Sequence, residues 1–93
     1  MALAFQWDPQ KAQVNWAKRG VSFAEAATVF SDALSLTIPD PLHSAGELRY
    51  VTIGSSVQRR SLVVVRADRP GRTRIISARQ ATRREKQAYE EGE

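Results

Sequence analysis

The 93-residue sequence predicts an α+β fold in one compact domain over residues 1–93: an N-terminal helical hairpin, a four-stranded antiparallel sheet and a C-terminal helix. Three observations predict it. Helix-start signals at Asp8-Pro9 and at Ser22-Phe23-Ala24-Glu25 both precede residue 31. From Leu34 onward the apolar residues recur with period two, in runs broken by turn residues. Thr82-Arg83-Arg84-Glu85 is a second capping box and opens a last helix.

Phe5-Gln6-Trp7 alternates as a short edge strand does. Asp8 is an N-cap, and Pro9 stands at the first helical position, where its missing N–H costs nothing. The helix is expected through Lys18, with Ala12, Asn15, Trp16 and Arg19 near one face and Gly20 as its C′ residue. Val21 can staple against Ala26 at the start of a second helix that runs to about Phe30. Leu34 to Ile38 alternates strictly and is ended by Pro39, and a polar loop follows from Asp40 to Gly46. Leu48–Gly54 and Ser61–Ala67 are further strands. The run Leu62-Val63-Val64-Val65 is apolar on both faces and marks the central one. Arg69-Pro70-Gly71 is a turn, and Thr73–Ala78 is the fourth strand. Strict alternation puts Arg72, Arg74, Ile76 and Ala78 on one face of it and Thr73, Ile75, Ser77 and Arg79 on the other, so arginine is expected on both faces.

Charge is distributed unevenly. Residues 1–57 carry four basic and five acidic residues, whereas 58–86 carry ten basic residues against Asp68 and Glu85. Eleven of the fourteen basic residues are arginine, whose planar fork matches phosphate oxygens. This one-sided block points to a phosphate-bearing partner, since solubilising surfaces mix the two signs. The last helix is charged against its own dipole: Arg83, Arg84 and Lys86 crowd its first turn and Glu90 and Glu91 its end. A polyanion bound at the helix start accounts for that pattern. The chain has no cysteine, which removes disulfides and thiolate metal sites and fits a reducing, cytoplasmic setting. No apolar run approaches the ~20 residues of a membrane helix.

The sequence has no nucleophile elbow, no phosphate-cradling glycine loop and no Cys/His or DxD metal spacing. His43 is the only histidine and reads as a loop or capping residue. If the chain is an enzyme, a mechanism without metal or cofactor is implied. RNA permits one, because its 2′-hydroxyl attacks the adjacent phosphate and the protein need only orient it, accept a proton and supply cations. Glu85 and Tyr89 lie four apart on one helical face; each is a candidate for the proton step, and each is also explained by capping or packing.

Several segments together resemble the BrnT family, toxins of type II toxin–antitoxin pairs within the wider RelE-like ribonucleases. They are Phe5-Gln6-Trp7-Asp8-Pro9 with Lys11, Gly20-Val21-Ser22-Phe23 with Glu25-Ala26, Asp40 with His43-Ser44, and Glu47 to Gly54. Leu62 to Val65 and Arg74-Ile75-Ile76-Ser77-Ala78-Arg79 with Ala81-Thr82, Glu85 and Tyr89 complete the set. The resemblance implies an endoribonuclease that halts translation and growth. It further implies a BrnA-like antitoxin with a ribbon-helix-helix part, the complex binding DNA through the antitoxin. Carried over by position, the catalytic candidates are Arg79, Glu85, Tyr89 and Arg49. Arg66 joins them because it follows the central strand, where family members often carry histidine. Arg19 likewise replaces a usual histidine, and both exchanges trade an imidazole for a permanent cation.

The leading expectation is therefore RNA cleavage. Arg79 and Arg66 clamp the scissile phosphate, Glu85 or Tyr89 handles the proton, and Arg59, Arg60, Arg72, Arg74, Arg83 and Arg84 hold the backbone. A non-catalytic nucleic-acid-binding regulatory module is the alternative, and an interaction subunit whose arginines meet an acidic partner is a third reading.

Overall fold

Asp8 and Pro9 start the first helix as their chemistry requires. The Asp8 carboxylate accepts from the Gln10 amide at 2.8 Å, and the helix ends at Gly20, whose φ of 66° is the left-handed conformation that glycine adopts without penalty. The computed structural model describes residues 4–40 and 46–92; His43 and most of the polar loop expected around it lie outside them. Along the chain come β1 (Phe5–Gln6), α1 (Pro9–Arg19), α2 (Phe23–Thr28) with a 3₁₀ turn over Val29–Ser31, and β2 (Leu36–Pro39). Then follow β3 (Arg49–Ser55), β4 (Ser61–Arg69), β5 (Arg72–Gln80) and α3 (Arg83–Glu90).

The sheet has five strands in the order β1-β5-β4-β3-β2 and is mixed, which corrects the expected four-stranded antiparallel meander. β2 to β5 do form that meander, with β4 at its centre. The added strand is β1, which pairs in parallel with β5 through Phe5–Thr73 and Gln6–Arg74. A two-residue strand cannot declare its partner in sequence; here the following helix returns the chain to the far edge. β2 begins later than its alternation suggests, because the Asp32 carboxylate accepts from the Leu34 amide and folds that residue into a turn.

α1 and α2 cover one face. Val21, Phe23, Ala26 and Val29 from the helical segment meet Leu62 and Val64 of β4 and Ile75 and Ala78 of β5 in a single core. Fully burying each of the larger side chains stabilises the fold by roughly 1.5–3 kcal/mol. Phe5 packs on Phe30 with ring centroids 5.3 Å apart, and Trp7 meets Phe23 edge-on at 6.0 Å. Trp16 does not join this face as expected: it is 60% exposed, and Asn15 is the residue of its turn that goes inward.

Asn15 is a substitute strand residue. β1 is too short to pair the whole edge of β5, and Asn15 takes over at Ala78, accepting from its N–H at 3.1 Å and donating to its C=O at 2.9 Å. Its second amide hydrogen goes to the Val21 carbonyl at 2.9 Å, so the side chain joins α1, the hairpin turn and the sheet. Asn15→Leu is expected to destabilise the fold by about 2–4 kcal/mol, since it leaves buried backbone groups without partners. Urea unfolding checks this, and Asn15→Asp, which turns a carboxylate oxygen toward the Val21 and Ala78 carbonyls, should lose at least as much.

The register slips once, between Val65 and Arg66: Val65 faces Ser77, but Arg66 faces Ile75, so β5 carries Ile76 as an extra residue. Directly opposed residues share a face. Arg79 opposes Val63, Arg74 opposes Ala67 and Arg72 opposes Arg69, and these β4 residues are an even number apart. All three β5 arginines therefore lie on one face, not on two as strict alternation predicts. Ile75 and Ala78, three residues apart, both enter the core on the other.

Candidate nucleic-acid interface

The face turned away from α1 and α2 carries a row of cations. Arg49 on β3, Ala67 on β4 and Arg74 on β5 are direct neighbours across the sheet, and Gln6 of β1 stands next to Arg74. Ala67 is fully buried beneath its two large neighbours. Two residue pairs further on, Arg69 opposes Arg72, and Arg72 donates to Gln6 Oε1 at 3.0 Å. Glu47, just before β3, sits among these groups: Arg69 Nη2 is 2.9 Å from Oε2, while Arg74 Nη1 and Arg49 Nε are 3.7 and 3.8 Å from Oε1. Three guanidinium groups thus surround one carboxylate on a half-open surface, a geometry suited to phosphate oxygens.

Arg79 lies further along the same face and grips Glu85 with both terminal nitrogens, at 2.7 and 2.8 Å. Glu85 also accepts from the Thr82 amide at 2.8 Å and donates its own amide to Thr82 Oγ1 at 3.2 Å, so the capping box read from sequence is complete. The Arg79 guanidinium is the main reason that the Glu85 carboxyl is lowered to about 2. At the other end of α3, the Tyr89 hydroxyl donates to Asp32, which also accepts from the Ser55 amide at 2.8 Å. That bond chiefly pushes the Tyr89 phenol up to about 12 and holds Asp32 below its usual range. No residue of α3 is fully buried, so these two polar contacts carry much of its attachment.

Arg66 lies elsewhere. It opposes Ile75 and Tyr50, on the face that carries the helices. Its guanidinium is stacked between the rings of Phe30 and Tyr50, 5.4 and 5.1 Å from their centroids, and it pairs with Asp68 and donates to Thr52 Oγ1 at 3.2 Å. Arg66 and Arg79 therefore do not clamp one phosphate, which corrects the expected pairing. The error comes from periodicity: one residue beyond a four-residue apolar run points to the opposite face from the site.

Arg60 is also spoken for. It pairs with the buried Glu25 through two nitrogens, Nε being 2.9 Å from Oε2, and its Nη2 reaches the Gly20 carbonyl at 3.1 Å. Ser56 Oγ donates to the same carboxylate at 2.7 Å. Glu25 thus leaves its expected capping box half made, with only its amide donating to Ser22, and staples α2 to the β3–β4 turn instead. Arg59 lies exposed in that turn with φ of 63°, and Arg83 and Arg84 are exposed on the first turn of α3. Sequence reasoning missed Glu47 and Arg69. Arg69 showed only as a member of the charged block and read as part of a turn, and Glu47 showed only as the first residue of the Glu47 to Gly54 segment.

A family model described as "Ribonuclease toxin, BrnT, of type II toxin-antitoxin system" matches residues 7–85. The chain belongs to the BrnT family. Among solved structures, the crystal structure of the Brucella abortus ribonuclease toxin BrnT superposes with a TM-score of 0.69 at 24% identity, covering 88% of this chain and 100% of that one. At that identity the likeness establishes the shared fold. No curated protein sequence matches the chain. The BrnT family is one of ribonuclease toxins, so an RNA substrate and an antitoxin partner follow at the level of the family. Among the described residues, no helix is long and apolar enough to cross a membrane.

Proposed function

We propose that this BrnT-family chain is an endoribonuclease that needs no metal and cleaves RNA by attack of the 2′-hydroxyl on the adjacent phosphate. The observation that carries the reading is the arginine face. One slip in the β4–β5 register aligns Arg72, Arg74 and Arg79 with Arg49 and Arg69, beside the basic first turn of α3. Guanidinium groups fixed on adjacent strands hold a phosphodiester and match the extra charge that develops as it becomes five-coordinate. Since RNA supplies its own nucleophile, orientation and charge stabilisation provide most of what is needed.

In this reading Arg49, Arg74 and Arg79 contact the scissile phosphate, and Arg72, Arg83 and Arg84 guide the flanking backbone, with Arg59 an outlying cation. Arg60 and Arg66 hold the fold together. Glu85 and Tyr89 anchor α3 across the arginine face, because a carboxyl lowered to about 2 accepts a proton poorly and a phenol raised to about 12 gives one up poorly. Growth arrest follows from RNA loss, and a BrnA-like ribbon-helix-helix antitoxin silences the toxin and brings the complex to DNA.

The test is induction of the protein alone, followed by mapping of RNA ends. Cuts should carry 2′,3′-cyclic phosphates, persist in excess EDTA and vanish when the nucleotide 5′ of the cut is 2′-deoxy. Intact RNA with salt-dependent nucleic-acid binding would instead establish the non-catalytic module.

A further inference from the structure

The proposed reaction has a gap: a group must take the 2′-hydroxyl proton, and the two residues that sequence suggests for it are tied down. We propose that Glu47 is this general base, a role that rests on the ribonuclease reading above. Among the described residues, Glu85 and Glu47 both pair with arginines of this face, and their surroundings differ. Glu85 is held by both arms of Arg79 and by the Thr82 amide, three bonds at 2.7–2.8 Å that also build the start of α3. Freeing it would cost the helix its cap.

Glu47 is placed differently. Among the described residues, one hydrogen bond reaches its carboxylate, from the exposed Arg69 at 2.9 Å. The Arg74 and Arg49 nitrogens, at 3.7 and 3.8 Å, neutralise it without bonding to it. All three cations are ones that an incoming phosphodiester would engage. As Arg69 turns from the carboxylate to the phosphate, it releases a carboxylate oxygen a few ångströms from the attacking hydroxyl. The same arginines hold carboxylate and phosphate in turn, so substrate binding itself supplies the free base. Glu85 is held by the Thr82 amide as well as by Arg79, so the same exchange would not free it from the helix cap.

The step balances as follows. Glu47 accepts the 2′-hydroxyl proton as the 2′-oxygen to phosphorus bond forms. The bond from phosphorus to the 5′-oxygen breaks, and that oxygen takes a proton from water. The products are a 2′,3′-cyclic phosphate and a 5′-hydroxyl, and Glu47 returns its proton to solvent.

The experiment measures single-turnover cleavage of an RNA oligonucleotide against pH by the full chain, with Glu47→Gln, Glu47→Asp and Glu85→Gln beside it. Binding of the same oligonucleotide with 2′-deoxyribose at the cut is measured in parallel. Glu47→Gln is expected to slow cleavage by about 10²–10⁴-fold and to remove the rise of rate with pH, with Glu47→Asp restoring part of both. It should bind the deoxy analogue at least as tightly as the wild type, because it removes a negative charge facing the phosphate. A purely structural role would weaken that binding. The proposal is overturned if Glu47→Gln cleaves at the wild-type rate, if the rise with pH survives in it, or if Glu85→Gln removes that rise instead. Failure of the wild type to cut any RNA would count against the ribonuclease reading itself, and so is distinguishable from these.

Discussion

Arg60→Ala is expected to destabilise the protein by about 3–5 kcal/mol, the cost of leaving a buried charge without its counter-ion. Glu25 is 4% exposed, and Arg60 is its only cationic partner among the described residues. Removing the guanidinium also strips the Gly20 carbonyl of a donor at the C-terminus of α1. What remains is a carboxylate facing Ser56 alone, in a site that disfavours charge. Chemical denaturation measures the loss. A change below about 1 kcal/mol, the range of exposed pairs, would show that water reaches Glu25.

The same pair makes a statement about pH. Arg60 holds the Glu25 carboxyl below its ordinary value of 4.5, so the folded state binds this proton less readily than the unfolded chain does. A group lowered in this way contributes its full stability above pH 4.5 and loses it as pH falls through the lowered value. Glu85, lowered to about 2, and Asp32, lowered by Tyr89, act in the same direction. The wild type should therefore weaken steadily on acidification below about 4.5. Arg60→Ala should show a flatter acid slope, because protonating Glu25 then relieves an unpaired charge.

Arg79→Ala is expected to lower RNA cleavage by about 10²–10³-fold, the usual effect of removing one donor from a developing oxyanion. The interpretation needs a control, since Arg79 also binds Glu85 and thereby seats α3. Glu85→Gln breaks the ion pair while sparing the cation on the sheet. If Arg79 acts on the phosphate, Glu85→Gln should stay within roughly tenfold of the wild type, the scale of about 1.4 kcal/mol for a weakened helix contact. Equal losses in both variants would mean that the ion pair, through α3, is what cleavage requires. Thermal unfolding of each variant, read by circular dichroism, reports whether α3 has loosened.

Much of the fold was legible in the sequence because its signals are local. The caps at Asp8, Ser22 and Thr82, the terminator Gly20 and the doubly apolar β4 each express chemistry confined to a few neighbouring residues, and the structure has them where expected. The chemistry of the surface was legible too, since nine of the eleven arginines lie between residues 58 and 86 and point to an anionic partner wherever they face.

Where they point was decided by tertiary structure. The extra residue Ile76 shifts the register of β5 and gathers Arg72, Arg74 and Arg79 on one face, and no local pattern announces a bulge. Charge alone does not separate Arg60 and Arg66, spent on Glu25 and on an aromatic sandwich, from Arg49 and Arg74 on the open face. Long-range pairing likewise converts Asn15 into an edge-capping residue, seats β1 beside β5 and brings Glu47 among three guanidinium groups. Sequence by itself determined which elements form and that the chain carries a basic block suited to phosphate, because propensity, capping and net charge are properties of short segments. Only the folded sheet determined which arginines share the open face, because pairing with residues of neighbouring strands places each one.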